Sequence, residues 1–321
     1  MSPAAGPLSV NDPGYLALRT SAAWLDLSNR GEIIVTGEDR ARLLHAMTTN
    51  QVQNLKPGEG CYAFFLNAQG RILSDMNLFC RENDFLLDVE PETREVIYQH
   101  LDKYIIADDV TLEDATDRLA TLALEGPQAF AAAERLGLPI PENAWAHAAW
   151  NHVTVANVSA TGAPGLRLFV PADEKPHLIE QFAGIPQASP VAARVVRLEH
   201  FQPRYGEDIL STTLSGETQQ PHAVNFNKGC YLGQEIVERV RSRGLVHRLL
   251  AGVEIEATEP PEADARLFQG DQDVGKMTSA AFSPALGKVA GLAYVRRELA
   301  EPGTEVSVNG HPVVIRALHH A

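Results

Sequence analysis

Cysteine is scarce: Cys61, Cys80 and Cys230 are the only three in 321 residues. An odd number at such wide spacing suits neither a disulfide framework nor a CxxC metal site, and no metal is expected. No apolar run is long enough to span a bilayer, so no membrane association is expected. The opening Met1-Ser-Pro-Ala-Ala-Gly-Pro7 lacks the basic-then-apolar pattern of a signal peptide. A reducing cytoplasm is the expected compartment. Neither GxGxxG nor GxxxxGKS/T occurs, which removes support for those nucleotide-binding loops. Positive charge is in deficit as well. Lys and Arg total 27 against 41 Asp and Glu, a net charge of −14. Broad binding of nucleic acid is not expected from such a surface. One segment departs from it: Arg239, Arg241, Arg243 and Arg248 lie close together with His247 and no acid among them. They read either as a solvated helix end or as a local anion site for a carboxylate tail, a phosphate or RNA.

What is present suits a globular chain of two or three domains, with 45% hydrophobic and 21% charged residues. Strand-like and helix-like stretches alternate. Strands are expected near 32–35, 61–66, 71–80, 85–89, 120–124, 153–158 and 166–170. Helices are expected near 14–23, 91–104, 128–136, 175–182 and 190–199. Thr36-Gly-Glu-Asp39 matches a helix-capping pattern. Most strand connections are short or hairpin-like, as in Asn67-Ala-Gln-Gly70. The expected class is therefore α+β with antiparallel sheets. From 246 to 321 short strands recur between turns, closing with an Asn309-Gly310 hairpin, and this part reads as a separate small β-barrel. Residues 1–245 form the remainder.

Three positions stand out. Lys228-Gly-Cys-Tyr-Leu-Gly-Gln-Glu235 packs a cation, a thiol, a phenol, an amide and a carboxylate around two glycines, just before an apolar-striped helix. A thiolate at Cys230 would gain from Lys228 and from a helix N-terminus. The plainer reading is a buried structural Cys. Asp75 interrupts an apolar strand, either facing water on an edge or lining a cleft. Glu199 ends a helix, where a carboxylate opposes the dipole. It serves a second role or a salt bridge to a nearby Arg.

The octapeptide resembles the signature of the YgfZ family, folate-binding proteins linked to iron–sulfur cluster assembly. That family is related to the aminomethyltransferase, or T-protein, of the glycine cleavage system. Leu25-Asp-Leu-Ser28, Asn67 through Asp75, Arg197-Leu-Glu199 and Gly275 through Pro284 resemble further superfamily elements, so the likeness covers nearly the whole chain. It implies a three-domain ring: two α+β domains interleaved in sequence, a C-terminal barrel, and folate in the middle. It implies tetrahydrofolate, or a one-carbon derivative, as cofactor. Asp75 falls on the superfamily's active-site aspartate and Glu199 on its pterin-recognising glutamate. Cys230 and Lys228 are the implied reactive groups beside Asp75, with Tyr231, Gln234 and Arg239 as further cofactor contacts. Iron–sulfur proteins or their assembly factors are the implied clients, with a link to tRNA modification, and a monomer is expected. Whether the chain itself catalyses one-carbon transfer stays open, as does the role of Cys230: redox thiol, transient cluster ligand or one-carbon acceptor. Superfamily aminomethyltransferases typically carry paired aspartates at the hairpin and lack the cysteine octapeptide. Ser74 precedes Asp75 here, which disfavours glycine-cleavage chemistry.

Overall fold

The computed structural model describes residues 8–244 and 246–318. The N-terminal Met1–Pro7 stretch and position 245, on which two of the expectations above fall, lie outside the described residues. Two five-stranded antiparallel sheets are interleaved in the chain. One runs Ala23–Asp26, Leu119–Glu125, Gly165–Pro171, Val153–Ala156, His147–Trp150 in spatial order. The other runs Gly60–Leu66, Ile72–Cys80, Phe85–Val89, Gly31–Thr36, Thr111–Asp114. The chain thus begins the first sheet, builds the whole of the second, and returns. Strands Arg248–Ile255, Lys288–Arg296, Gln272–Ser283, Arg266–Gln269, Glu305–Val308 and His311–Arg316 close into a barrel. The α+β architecture with a C-terminal barrel is the one expected. No helix among the described residues is long and apolar enough to cross a membrane.

Each sheet and the barrel has its own core, around Leu44, Phe65 and Ile97, around Leu122, Leu168 and Phe182, and around Val253, Met277 and Val295. The two sheets also meet directly through Phe79, Leu86, Ala156 and Phe169. Burial of a side chain such as Phe79, fully enclosed here, contributes about 1.5–3 kcal/mol. Helix Pro190–Glu199 joins sheets to barrel. Ser189 caps it by accepting from Ala192 N at 3.1 Å, Pro190 takes the first turn, and Val195, Val196 and Leu198 pack with Tyr15, Leu18 and Leu292.

Several local readings are corrected. The 91–104 helix is a short 3-10 turn, Pro91–Thr93, followed by an α-helix, Arg94–Asp102. The capping pattern at Thr36 fails: Asp39 occupies the cap position but makes no capping bond, and its carboxylate accepts from Asp109 N at 3.0 Å instead. Strands Thr111–Asp114, short and polar, and His147–Trp150, only four residues long, carry no clear alternation in the sequence. Arg197, off the apolar stripe of its helix, is nonetheless 5% exposed. The Asn309-Gly310 hairpin forms as expected, with φ of 50° and 83° at the two turn residues.

Candidate functional site

Between the two sheets and the start of helix Pro190–Glu199 lies a cavity of about 1060 Å3. The alternation of strand Ile72–Cys80 sends Asp75 and Asn77 into it. Asp75 is therefore a cleft carboxylate rather than an edge residue facing water. It is 7% exposed and accepts a hydrogen bond from Tyr62 Oη at 2.7 Å. Burial, reinforced by the charge of Glu90, pushes its carboxyl up to about 6. The Tyr62 phenol is driven well above its ordinary range by burial and by Asp75. A carboxyl that exchanges its proton near neutral pH, in a cavity, is suited to general acid or base work.

One wall is aromatic. Trp145 stacks on His222 with ring centroids 5.2 Å apart, and Tyr62 lies 5.3 Å from His222 and 6.2 Å from Trp145. Trp145 has φ of 59°, a conformation rare outside glycine, and is held there by Trp145 Nε1 donating to Asn77 Oδ1 at 2.9 Å. The loop 157–164 forms a further stretch of wall, starting beside Trp145, whose backbone N donates to Asn157 O at 3.0 Å. A single buried carboxylate gathers that loop: Glu125 accepts from Ser159 Oγ at 3.0 Å, Ala160 N at 2.7 Å, Thr161 N at 3.0 Å and Thr161 Oγ1.

The cavity's cations are arginines, each tied to an acid. Arg30 pairs with Asp88 and Glu90, and Arg167 with Asp88. Arg197 holds Asp208 at 2.7 Å and Glu207 at 2.5 Å, and Arg194 shares Glu207. Arg204 bridges Glu90 at 2.8 Å and Glu92 at 2.7 Å.

Of the candidate site residues Cys230, Asp75, Lys228, Glu199, Tyr231, Gln234 and Arg239, the cavity lining includes Asp75; of the other elements singled out from sequence, Leu25–Ser28 and Arg197 line it too. Glu199 is turned away from it. Its carboxylate is 3% exposed and is engaged by Arg19, by Tyr15 Oη at 2.5 Å and by Ser283 Oγ at 2.5 Å. The salt bridge, the simpler of the two expectations, is what the fold uses. Lys228 is also buried. Its ammonium donates to His45 O at 2.5 Å and Thr48 O at 2.6 Å, the carbonyls that end helix Arg40–Met47, and lies 4.8 Å from the Tyr231 ring. This cation caps a helix rather than activating a thiol. Burial lowers it to about 8. Tyr231 is 8% exposed with no partner for its hydroxyl among the described residues, and burial lifts that phenol to about 12. Gln234 opens helix Gln234–Arg243 and accepts from Tyr231 N at 3.3 Å. Gly233 has φ of 85° and lies against the Asn67–Gly70 turn; a Cβ there would sit 2.7 Å from Asn67 O, so glycine is required. Cys230 is exposed, whereas Cys61 and Cys80 are buried, and burial raises the Cys61 thiol to about 12. Arg239 is exposed on the helix, outside the cavity. Arg248 is bound to Glu217 at 2.8 Å.

Sequence reasoning missed Tyr62, Trp145, His222, Glu125 and Arg204. Tyr62 had a signal, since it pairs with Asn77 across the expected hairpin and so reaches Asp75 diagonally. The others come from loops or from a strand end distant in sequence, and no spacing links them.

Residues 12–228 match the model of the GCVT N-terminal domain, and 248–317 that of the glycine cleavage T-protein C-terminal barrel domain. An aminomethyltransferase of Rubrobacter xylanophilus is 31% identical over 309 residues, 94% of this chain and 82% of that one. One of Streptomyces coelicolor is 29% identical, over 95% and 85%. The crystal structure of the glycine cleavage system aminomethyltransferase T from Bartonella henselae shares the fold, with a TM-score of 0.87 at 24% identity, covering 95% of this chain and 88% of that one.

Proposed function

The chain belongs to the glycine cleavage T-protein superfamily, and from that premise we propose that it binds tetrahydrofolate in the central cavity and serves iron–sulfur cluster assembly or repair, as YgfZ proteins do. The observation that carries the folate reading is Asp75, buried at the cavity wall, hydrogen-bonded to Tyr62 and poised near pH 6. The residues present fit the group. The Trp145–His222 pair offers a flat aromatic face to a pterin, and about 1060 Å3 is ample for a ligand of that size. Arg194 and Arg204 are the more exposed arginines of the wall and would meet an anionic tail in competition with their present partners, Glu207 for Arg194 and Glu90 and Glu92 for Arg204. When bound, reduced folate supplies a secondary amine that carries a one-carbon unit. Asp75 holds or gives up a proton at its carboxyl, and Tyr62 keeps that carboxyl oriented. Loop 157–164, pinned by Glu125, fixes part of the cavity wall.

Support for the iron–sulfur role is the octapeptide itself, which presents an exposed thiol on a loop fastened by Lys228. The protein acts in this reading as a cytoplasmic monomer whose clients are iron–sulfur proteins or their assembly factors. Aminomethyl transfer is the second reading, favoured by the names of the relatives and by Asp75. Calorimetry with tetrahydrofolate tests the folate site: binding to wild type, lost on Asp75→Ala, supports it, and no binding to wild type refutes it. Deletion of the gene in its host, complemented with wild type or Cys230→Ala, tests the second half through iron–sulfur enzyme activities. Ammonia release in a reconstituted glycine-cleavage assay would establish the transferase instead.

A further inference from the structure

A second concavity, of about 250 Å3, lies apart from the central cavity, along helix Gln234–Arg243. Its walls are Leu214, Val224, Phe226, Ile236, Val240 and Val246. Phe226 is 40% exposed at its edge. Gly216 keeps it open: a Cβ there would sit 3.1 Å from Val246 Cγ2 and 3.7 Å from Val240 Cγ1. In its lining, Gln220 is 4% exposed and its amide Nε2 has no partner among the described residues. A buried donor without an acceptor costs stability that a partner carbonyl would recover. Arg241 is part of the lining, 4.3 Å over the Phe226 ring and paired with Glu238 at 3.5 Å, while Arg239 and Arg243 are exposed on the other flank of the same helix and Arg297 is exposed near Gly244.

We propose that this groove docks an acidic segment of a partner protein, which inserts one large apolar side chain between Val240 and Phe226 and sets its carboxylates against Arg241 on one flank of the helix and Arg239 and Arg243 on the other. Size favours a single side chain, because the volume falls below that of ordinary small-molecule pockets. Charge favours an acidic partner. The chain as a whole carries −14, so an acidic protein is repelled elsewhere and steered to these arginines. Phe226 is the one aromatic side chain of an otherwise mostly aliphatic lining and its ring is already covered by Arg241, which leaves RNA little to stack on. The Gln220 amide supplies a hydrogen bond for a peptide carbonyl. Cys230 is exposed on the loop leading into this helix, so a docked partner is held in the neighbourhood of the thiol. The octapeptide thereby gains a purpose: its Lys228 and Gly233 anchor the start of the helix that forms the groove.

The site is independent of the folate reading, and the test keeps them apart. A phage-displayed random-peptide library is panned on the full chain, and enriched peptides are synthesised and titrated by fluorescence anisotropy. Expected are sequences with acidic residues around one large apolar residue. Their affinity should fall at least about tenfold on Val240→Asp and again on the exposed double reversal Arg239→Glu/Arg243→Glu, with tetrahydrofolate binding unchanged in both. Gly216→Ala, which narrows the groove without a backbone change, serves if Val240→Asp fails to fold. The proposal is overturned if acidic residues are not enriched, or if the peptides bind the variants as they bind wild type. Displacement of the peptides by octanoate or by oligouridylate, with the same variant sensitivity, would reassign the groove to a small amphiphile or to RNA. A concentration-dependent dimer abolished by Val240→Asp would reassign it to a second copy of the chain.

Discussion

Asp75→Asn should stabilise the protein while disabling its site. In the native state the carboxyl is held at about 6 against an ordinary 3.8, first by burial and then by Glu90. Facing the same carboxyl, Tyr62 donates a hydrogen bond, and Arg30 and Arg204 pull in the opposite direction. A raised carboxyl means that the native state binds the proton more tightly than the unfolded chain. Stability therefore falls as pH rises through the window from 3.8 to about 6, and the full cost is present above it. Two units correspond to ~3 kcal/mol. Asparagine has nearly the same shape, accepts from Tyr62 through Oδ1, and carries no charge to desolvate. Near pH 7.5 the variant should be more stable by up to ~3 kcal/mol, which at roughly 2 °C per kcal/mol is a gain in Tm of up to about 6 °C. Near pH 4 the gain should vanish, because wild-type Asp75 is itself neutral in the native state there. Thermal scans of both proteins across pH 4 to 7.5 measure it, with tetrahydrofolate titrations alongside. A difference that is flat with pH, or of opposite sign, would refute the picture of a carboxylate kept at a cost for function.

Four further outcomes are expected. Lys228→Met removes both donors from the His45 and Thr48 carbonyls and should destabilise by ~2–4 kcal/mol in chemical denaturation; an unchanged midpoint would deny the helix-capping role. Glu125→Gln loses one charge and cannot accept from every donor of loop 157–164, so amide exchange at 160–162 should accelerate and tetrahydrofolate should bind more weakly, with global stability less affected; equal exchange rates would remove Glu125 as the clamp. Glu199→Ala should cost ~1–3 kcal/mol of stability through the lost contacts to Arg19, Tyr15 and Ser283 and leave folate affinity unchanged in the folded protein; a selective loss of folate binding would return Glu199 to the site. Iodoacetamide should alkylate Cys230 in the native protein and spare Cys61 and Cys80, as mapped by mass spectrometry, since only Cys230 is exposed.

The parts of the fold that were legible share a physical property: they are governed by local periodicity. Strand Ile72–Cys80 and its hairpin turn announce themselves by alternation and by Asn67-Ala-Gln-Gly70, and Asp75 follows because two-residue alternation fixes the face on which it lies. The type of helix Gln234–Arg243 was equally clear, and so was its glycine entry. What periodicity cannot convey is which distant element covers which side chain. Lys228 and Glu199 show the consequence. Lys228 was expected to favour a thiolate at Cys230, and Glu199 to recognise a pterin or to form a salt bridge, because a carboxylate at a helix C-terminus opposes the dipole. The compensation came from far along the chain: the orphan carbonyls at His45 and Thr48 for Lys228, and the Arg19 guanidinium for Glu199. A locally unsatisfied charge is thus evidence that a partner exists, and it carries no information on whether that partner is a ligand or another part of the same fold. Asp75 passes the stricter test. Its nearest partner, the Tyr62 hydroxyl, is neutral, and Glu90 raises its carboxyl rather than stabilising the charge, so the fold leaves its charged form under-compensated at the wall of a cavity large enough for a ligand.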